Sequence, residues 1–145
     1  MPALLTYDYA IVRVVPRVER GEFVNVGVIV SSDAASFLAA RMEPDVALLQ
    51  AIDADLDLSA IEAGLAAIPA ICAGGAEAGA IGRLPLRERF HWLVAPRSTC
   101  IQTSAVHTGR AADLASAIET LLARMVRRQR TASGFNQPPP HPHDP

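Results

Sequence analysis

The stretch Arg20-Gly21-Glu22-Phe23-Val24-Asn25-Val26-Gly27-Val28-Ile29-Val30 decides how this chain folds. It runs from a turn carrying opposite charges into the most strand-like segment of the sequence. On a two-residue period Val24, Val26, Val28 and Val30 share one face, while Phe23, Asn25, Gly27 and Ile29 share the other. The first face is wholly β-branched, as a core-facing strand surface is. The second carries an amide and a glycine where bulk is normal. That defect predicts either a bulge or a close approach to the backbone at Gly27.

Working outward, Tyr7 to Val15 reads as a first strand, mostly apolar on both faces and therefore central. Pro16 ends it, since it lacks a ladder donor. Arg17 to Gly21 closes a hairpin, with Gly21 free to take positive φ. Downstream, Phe37 to Met42 is a third strand. Pro44 opens a short helix with Val46, Leu49 and Ile52 facing inward. Asp53, Asp55 and Asp57 link it to a second helix, with Ser59 and Glu62 as a capping box and Ile61, Leu65, Ile68 and Cys72 as its stripe. Pro69 is expected to kink or shorten that helix.

Gly74 to Gly82 reads as a flexible loop, without the Gly-Lys-Ser/Thr of a phosphate-binding loop. Phe90, Trp92 and Val94 alternate, which predicts a fourth strand over Phe90 to Ala95. Pro96-Arg97-Ser98 then turns the chain into a fifth strand, Cys100 to Val106, ended by Gly109. Asp113 caps a final helix with the stripe Leu114, Ile118, Leu121, Leu122, Met125 and Val126. The resulting fold class is α+β, an antiparallel sheet of about five strands with the helices packed on one face. Residues 1–130 form a single globular domain, and the Pro/His-rich tail 131–145 is expected to be disordered.

Composition agrees with one core-forming domain: 145 residues, half of them hydrophobic and 19% charged. A formal net charge of −2 supplies no global field to attract nucleic acid or an anionic membrane. Every basic side chain apart from histidine is arginine. Cys72 and Cys100 are too few for a disulfide framework and read as small buried hydrophobes in a reducing compartment. No apolar run approaches the about 20 residues that span a bilayer, and the N-terminus has no secretory pattern. The expected location is cytoplasmic.

Six polar residues are candidates for a site: Arg20, Glu22, Asn25, Arg97, Ser98 and His107. Ser98, His107 and Glu22 nominally supply a nucleophilic triad. A straight strand between the first two, however, separates them by roughly 20 Å at about 3.3 Å per residue. A nucleophile and its base need about 3 Å. His91 and His107 have no second ligand at helical or hairpin spacing, and the aspartate run lacks a calcium loop's glycine and terminal glutamate. No metal and no cofactor are therefore expected.

Arg124, Arg127, Arg128 and Arg130 complement the dipole at the end of the last helix. With no aromatic residues among them, nucleic acid is not an expected partner. Arg20, Glu22 and Arg97 admit two readings: an Arg–Glu pair locking two turns, or arginines holding an anion. Arg20, Glu22 and Arg97 are expected at one end of the sheet and His107 at the other.

The succession Tyr7 to Val15, Arg20-Gly21-Glu22, Asn25-Val26-Gly27-Val28, Phe90-His91-Trp92-Leu93, Pro96-Arg97-Ser98 and His107-Thr108-Gly109 resembles the bacterial family catalogued as domain of unknown function 3037. The resemblance extends from about Tyr7 to Val126. It implies an accessory role, because members are encoded beside HipA-like kinase genes. Two function classes stay open, the first from this resemblance and the second from Arg20, Glu22 and Arg97. One is a protein-binding or accessory module partnering a HipA-like kinase. The other is an enzyme acting on an anionic substrate through an Arg/Glu cluster.

Overall fold

The first strand, apolar along most of its length, takes an inner place in the sheet. In the computed structural model, which describes residues 3–128, β1 (Leu5–Val14) pairs antiparallel with β2 (Val24–Ser32) on one side. β3 (Phe37–Met42) extends the sheet beyond β2. On its other side β1 pairs with two short strands, β4 (Ile101–Thr103) and β5 (His107–Ala111). The expected α+β class and five-stranded antiparallel sheet are therefore what the chain builds.

The defect on β2 is a bulge. Val12 faces Gly27 but Arg13 faces Asn25, so Val26 is an extra residue in β2. The bulge reverses which face the valines occupy. Val24 and Val26 join Val12, Val14 and Ile29 in one core, whereas Val28 and Val30 join Tyr7 and Ile11 in another. The single β-branched face expected from strict alternation is thus divided between the two sides of the sheet. Gly27 is also a place of close approach. A Cβ there would press on the Met42 sulfur and lie 2.6 Å from the Arg41 carbonyl oxygen.

The helices accordingly cover two faces rather than the one expected. α1 (Val46–Ile52), α2 (Leu58–Ala73) and α4 (Leu86–Leu93) supply Leu49, Ile61, Leu65, Ile68, Phe90 and Leu93 to the first core. α5 (Leu114–Leu121) continues into a π-turn, Leu122–Val126, and supplies Leu114, Ile118, Leu121 and Leu122 to the second.

Three of these helices start at an aspartate. Asp45 accepts from Leu48 N, Asp57 from Ala60 N and Asp113 from Ala115 N, each at 3.1 Å. Asp57 takes the role expected of Ser59, which lies inside α2. α2 also continues through Pro69 to Ala73. The glycine-rich segment folds into a 3-10 turn, Ala76–Ala78, and the single helical turn α3 (Gly79–Gly82).

Phe90 to Ala95 is not a strand. Leu86, Phe90 and Leu93 recur at helical spacing, and Phe90 and Leu93 are buried while Trp92 stays 41% exposed. The alternation of Phe90, Trp92 and Val94 was too short to distinguish the two periods. No hairpin therefore turns at Pro96-Arg97-Ser98, and the chain returns from α4 to the sheet through a loop.

The expected strand over Cys100 to Val106 is also broken. Val12 pairs with Thr103 but Tyr9 with His107, so the register slips by one residue around Ser104. At the break Ser104 N donates to the Ile11 carbonyl at 2.8 Å, and Ile11 N donates to Ser104 Oγ at 2.9 Å. Gly109, expected to stop the strand, lies within β5 because the Tyr7 ring packs onto it, 2.6 Å from where a Cβ would stand. The tail expected at 131–145 lies outside the described residues. Among those residues no helix is long and apolar enough to cross a membrane.

Candidate functional site

Arg20 and Glu22 flank Gly21, whose φ of 71° closes the 3-10 turn Val18–Arg20 between β1 and β2. Arg20 Nε donates to the Glu22 carboxylate, and that hydrogen bond holds the guanidinium pKa above its usual value. Both side chains are largely exposed. With Arg17 and Ile52 they line an open depression of about 300 Å³.

Arg97 lies elsewhere in the bonding pattern. Its guanidinium donates to the carbonyls of Trp92 at 2.8 Å and Leu93 at 3.0 Å, and it stacks 4.4 Å from the centre of the Trp92 ring. It thereby closes the C-terminus of α4, where carbonyls lack helical partners. Arg89 does the same for α2, donating to Ile71 and Cys72 carbonyls at 2.9 and 2.7 Å. Among the described residues no ion pair joins Arg97 to Glu22. Ser98 is exposed beside it.

His107 pairs with Tyr9, midway along β1, and its ring lies 5.5 Å from the Tyr9 ring. Register puts the Arg20–Glu22 turn and the start of β4 at the Val14 end of β1. His107 is thus in the middle of the sheet rather than at its far end. The Arg20–Glu22 pair, Arg97 with Ser98, and His107 therefore occupy three separate places.

Asn25 is the candidate around which other groups gather. It sits at the bulge and donates Nδ2 to the Met125 carbonyl in the π-turn at 2.9 Å. Among the described residues its buried Oδ1 has no partner, and neither has Nε of Arg13, the residue facing it across the strands. The Arg13 guanidinium lies 3.9 Å above the Phe23 ring. Beside Asn25 opens a pocket of about 480 Å³, lined by Phe23, Asn25, Arg124, Met125, Val126, Arg127 and Arg128.

The charges around this pocket are unequal. Arg127 forks across Glu43, at 2.7 and 2.9 Å, and Glu119, at 2.9 Å, while Arg41 pairs with the same two carboxylates. The Arg127 hydrogen bond is the main reason that both glutamates are held below their usual range. Two cations and two anions cancel in this clasp. Arg124 and Arg128 have no carboxylate partner among the described residues, so the pocket is electropositive in a chain of net charge −2.

From the sequence the terminal arginines read as partners of a helix dipole, and neither Arg13 nor Phe23 is among the candidate site residues. The signal that pointed here was the amide and glycine on β2. It could not reveal that residues about one hundred positions later close over the bulge.

A second, apolar hollow of about 160 Å³ lies between α2 and residues 97–103, with Ile68, Ile71, Trp92, Leu93 and Ile101 among its walls. At the other end of the same face Arg87 bridges to Asp8 at 3.0 Å, and Thr108 Oγ1 donates to Asp8 at 2.9 Å. These bonds tie α4 and β5 to β1. Burial pushes the Cys72 thiol up to about 12, where it is neither a nucleophile nor a ligand near neutral pH.

A family model described as protein of unknown function (DUF3037) matches residues 9–126. No curated protein and no solved structure gives a significant match to the chain.

Proposed function

We propose that this chain, which belongs to the DUF3037 family of proteins of unknown function, acts as a cytoplasmic protein-binding accessory module. Its proposed partner is a HipA-like kinase, as the resemblance to the family suggests. The observation supporting a binding role is the surface at the β1–β2 turn. Val18 and Ile52 are 44% and 37% exposed there, beside Arg17, Arg20 and Glu22. Arginine is enriched at interfaces, and the buried centre of an interface is more apolar than the rest of the surface. In this reading Arg20 and Glu22 are contact residues, and Arg97 and Ser98 support the neighbouring loop.

The alternative, an enzyme holding an anionic substrate with Arg20, Glu22 and Arg97, needs those groups to converge. Arg97 is instead bonded to the end of α4. The test is co-purification of the full chain with a HipA-like kinase encoded beside it. Capture that is lost in the folded variants Val18→Asp and Ile52→Asp supports the proposal. Failure of the wild-type chain to capture the kinase, or equal capture by both variants, overturns it.

A further inference from the structure

The pocket at the β2 bulge differs in chemistry from the turn surface and implies a different ligand. Three features meet in it. The first is charge: Arg124 and Arg128 remain after the Arg41–Glu43–Glu119–Arg127 clasp has cancelled internally. Guanidinium groups match the oxygens of a phosphate or carboxylate. The second is a ring: Phe23 is 48% exposed at the mouth of the pocket, and Arg13 stacks on it. An exposed aromatic ring beside arginines is a platform for a planar group. The third is shape: about 480 Å³ falls within the size range of small-molecule sites.

The walls of this pocket are two backbone irregularities, a β-bulge and a π-turn, held together by Asn25 Nδ2 on the Met125 carbonyl. Both types of irregularity recur where side chains are redirected toward a ligand. Here the π-turn carries Arg124 and leads into Arg127 and Arg128. A regular α-helical end would place these side chains at a different angle to Phe23.

We infer that this pocket binds a small organic phosphate bearing a planar ring, of mononucleotide size, with the phosphate on Arg124 and Arg128 and the ring against Phe23. Asn25 fixes the wall, since its Nδ2 is already committed to Met125. The inference is independent of the proposed kinase contact, which uses Val18 and Ile52.

The test is calorimetric titration of the full chain with AMP, adenosine and inorganic phosphate at low ionic strength. AMP is expected to bind saturably, with adenosine and phosphate each at least about tenfold weaker. The double variant Arg124→Ala/Arg128→Ala should lose at least about tenfold in AMP affinity, with the loss shrinking as salt is raised. Phe23→Ala should erase the preference for AMP over phosphate while leaving phosphate binding in place. Melting curves of both variants, whose altered side chains are largely exposed, establish that they fold. The inference is overturned if AMP shows no saturable binding, if the arginine variant binds as the wild type does, or if phosphate binds as tightly as AMP.

Discussion

Asn25 donates its side-chain amide to the main-chain carbonyl of Met125 at 2.9 Å, joining the bulge of β2 to the π-turn that ends α5. The π-turn closes with Arg127 N on the Leu122 carbonyl at 2.7 Å, and Asn25 brings a side-chain donor to the Met125 carbonyl at the end of that turn. Asn25→Ala should cost about 1 kcal/mol of stability. Amide hydrogen exchange over residues 122–127 should accelerate. Unchanged exchange there would show that the π-turn holds without this bond.

Gly27→Val should be more damaging. The added side chain meets the Arg41 backbone, which cannot swing aside as the Met42 side chain can. The overpacking should cost about 1–3 kcal/mol, read as a lower urea midpoint. A midpoint equal to that of the wild type would mean that β3 shifts away freely.

The Arg127 clasp implies a pH dependence. Glu43 and Glu119 have folded pKa values below 4.5, so their contribution is present above that value and is lost as pH falls through the folded values. Arg127→Gln should therefore be less stable than wild type near neutral pH. The difference between their denaturation midpoints should narrow from about pH 6 to about pH 3. Exposure keeps the effect modest. A gap that stays constant over this range would show that Arg127 acts through packing alone.

Arg97→Ala should separate a helix-closing role from a ligand-holding one. Losing its bonds to Trp92 and Leu93 should cost about 1 kcal/mol and alter the emission of Trp92, the only tryptophan in the chain. Arg97→Lys should restore little, because an ammonium cannot both fork across two carbonyls and stack on the indole. Full recovery by lysine would show that charge alone matters.

The two thiols should react differently. Cys72 is buried with its thiol raised to about 12, whereas Cys100 is partly exposed. An aromatic disulfide reagent should therefore modify Cys100 first in the native chain and reach Cys72 only with unfolding. Equal rates in the native state would mean that α2 opens readily.

The β1–β2 hairpin, β3 and the α5 stripe were legible in the sequence because each shows a clear period over enough residues. α4 was not, because Phe90, Trp92 and Val94 fit a strand while Leu86, Phe90 and Leu93 fit a helix. Pro85 just before Leu86 was the local sign of a helix start. The two-sided core was hidden for a different reason. A bulge at Val26 moves valines to opposite faces without changing the pattern of residues, and only the pairing with Arg13 reveals it. The candidate pocket was half legible. Asn25 and Gly27 marked its place, but its cations come from the far end of the chain.

The one-residue slip at Ser104 also shapes the outer border of the sheet. An unbroken outer strand over residues 101–111 would offer a continuous row of main-chain donors and acceptors on which another chain could add. Here that border consists of pieces of three and five residues, out of step with each other. A foreign strand aligned with one piece is misaligned with the next, so this border is a poor template for edge-on addition of another chain.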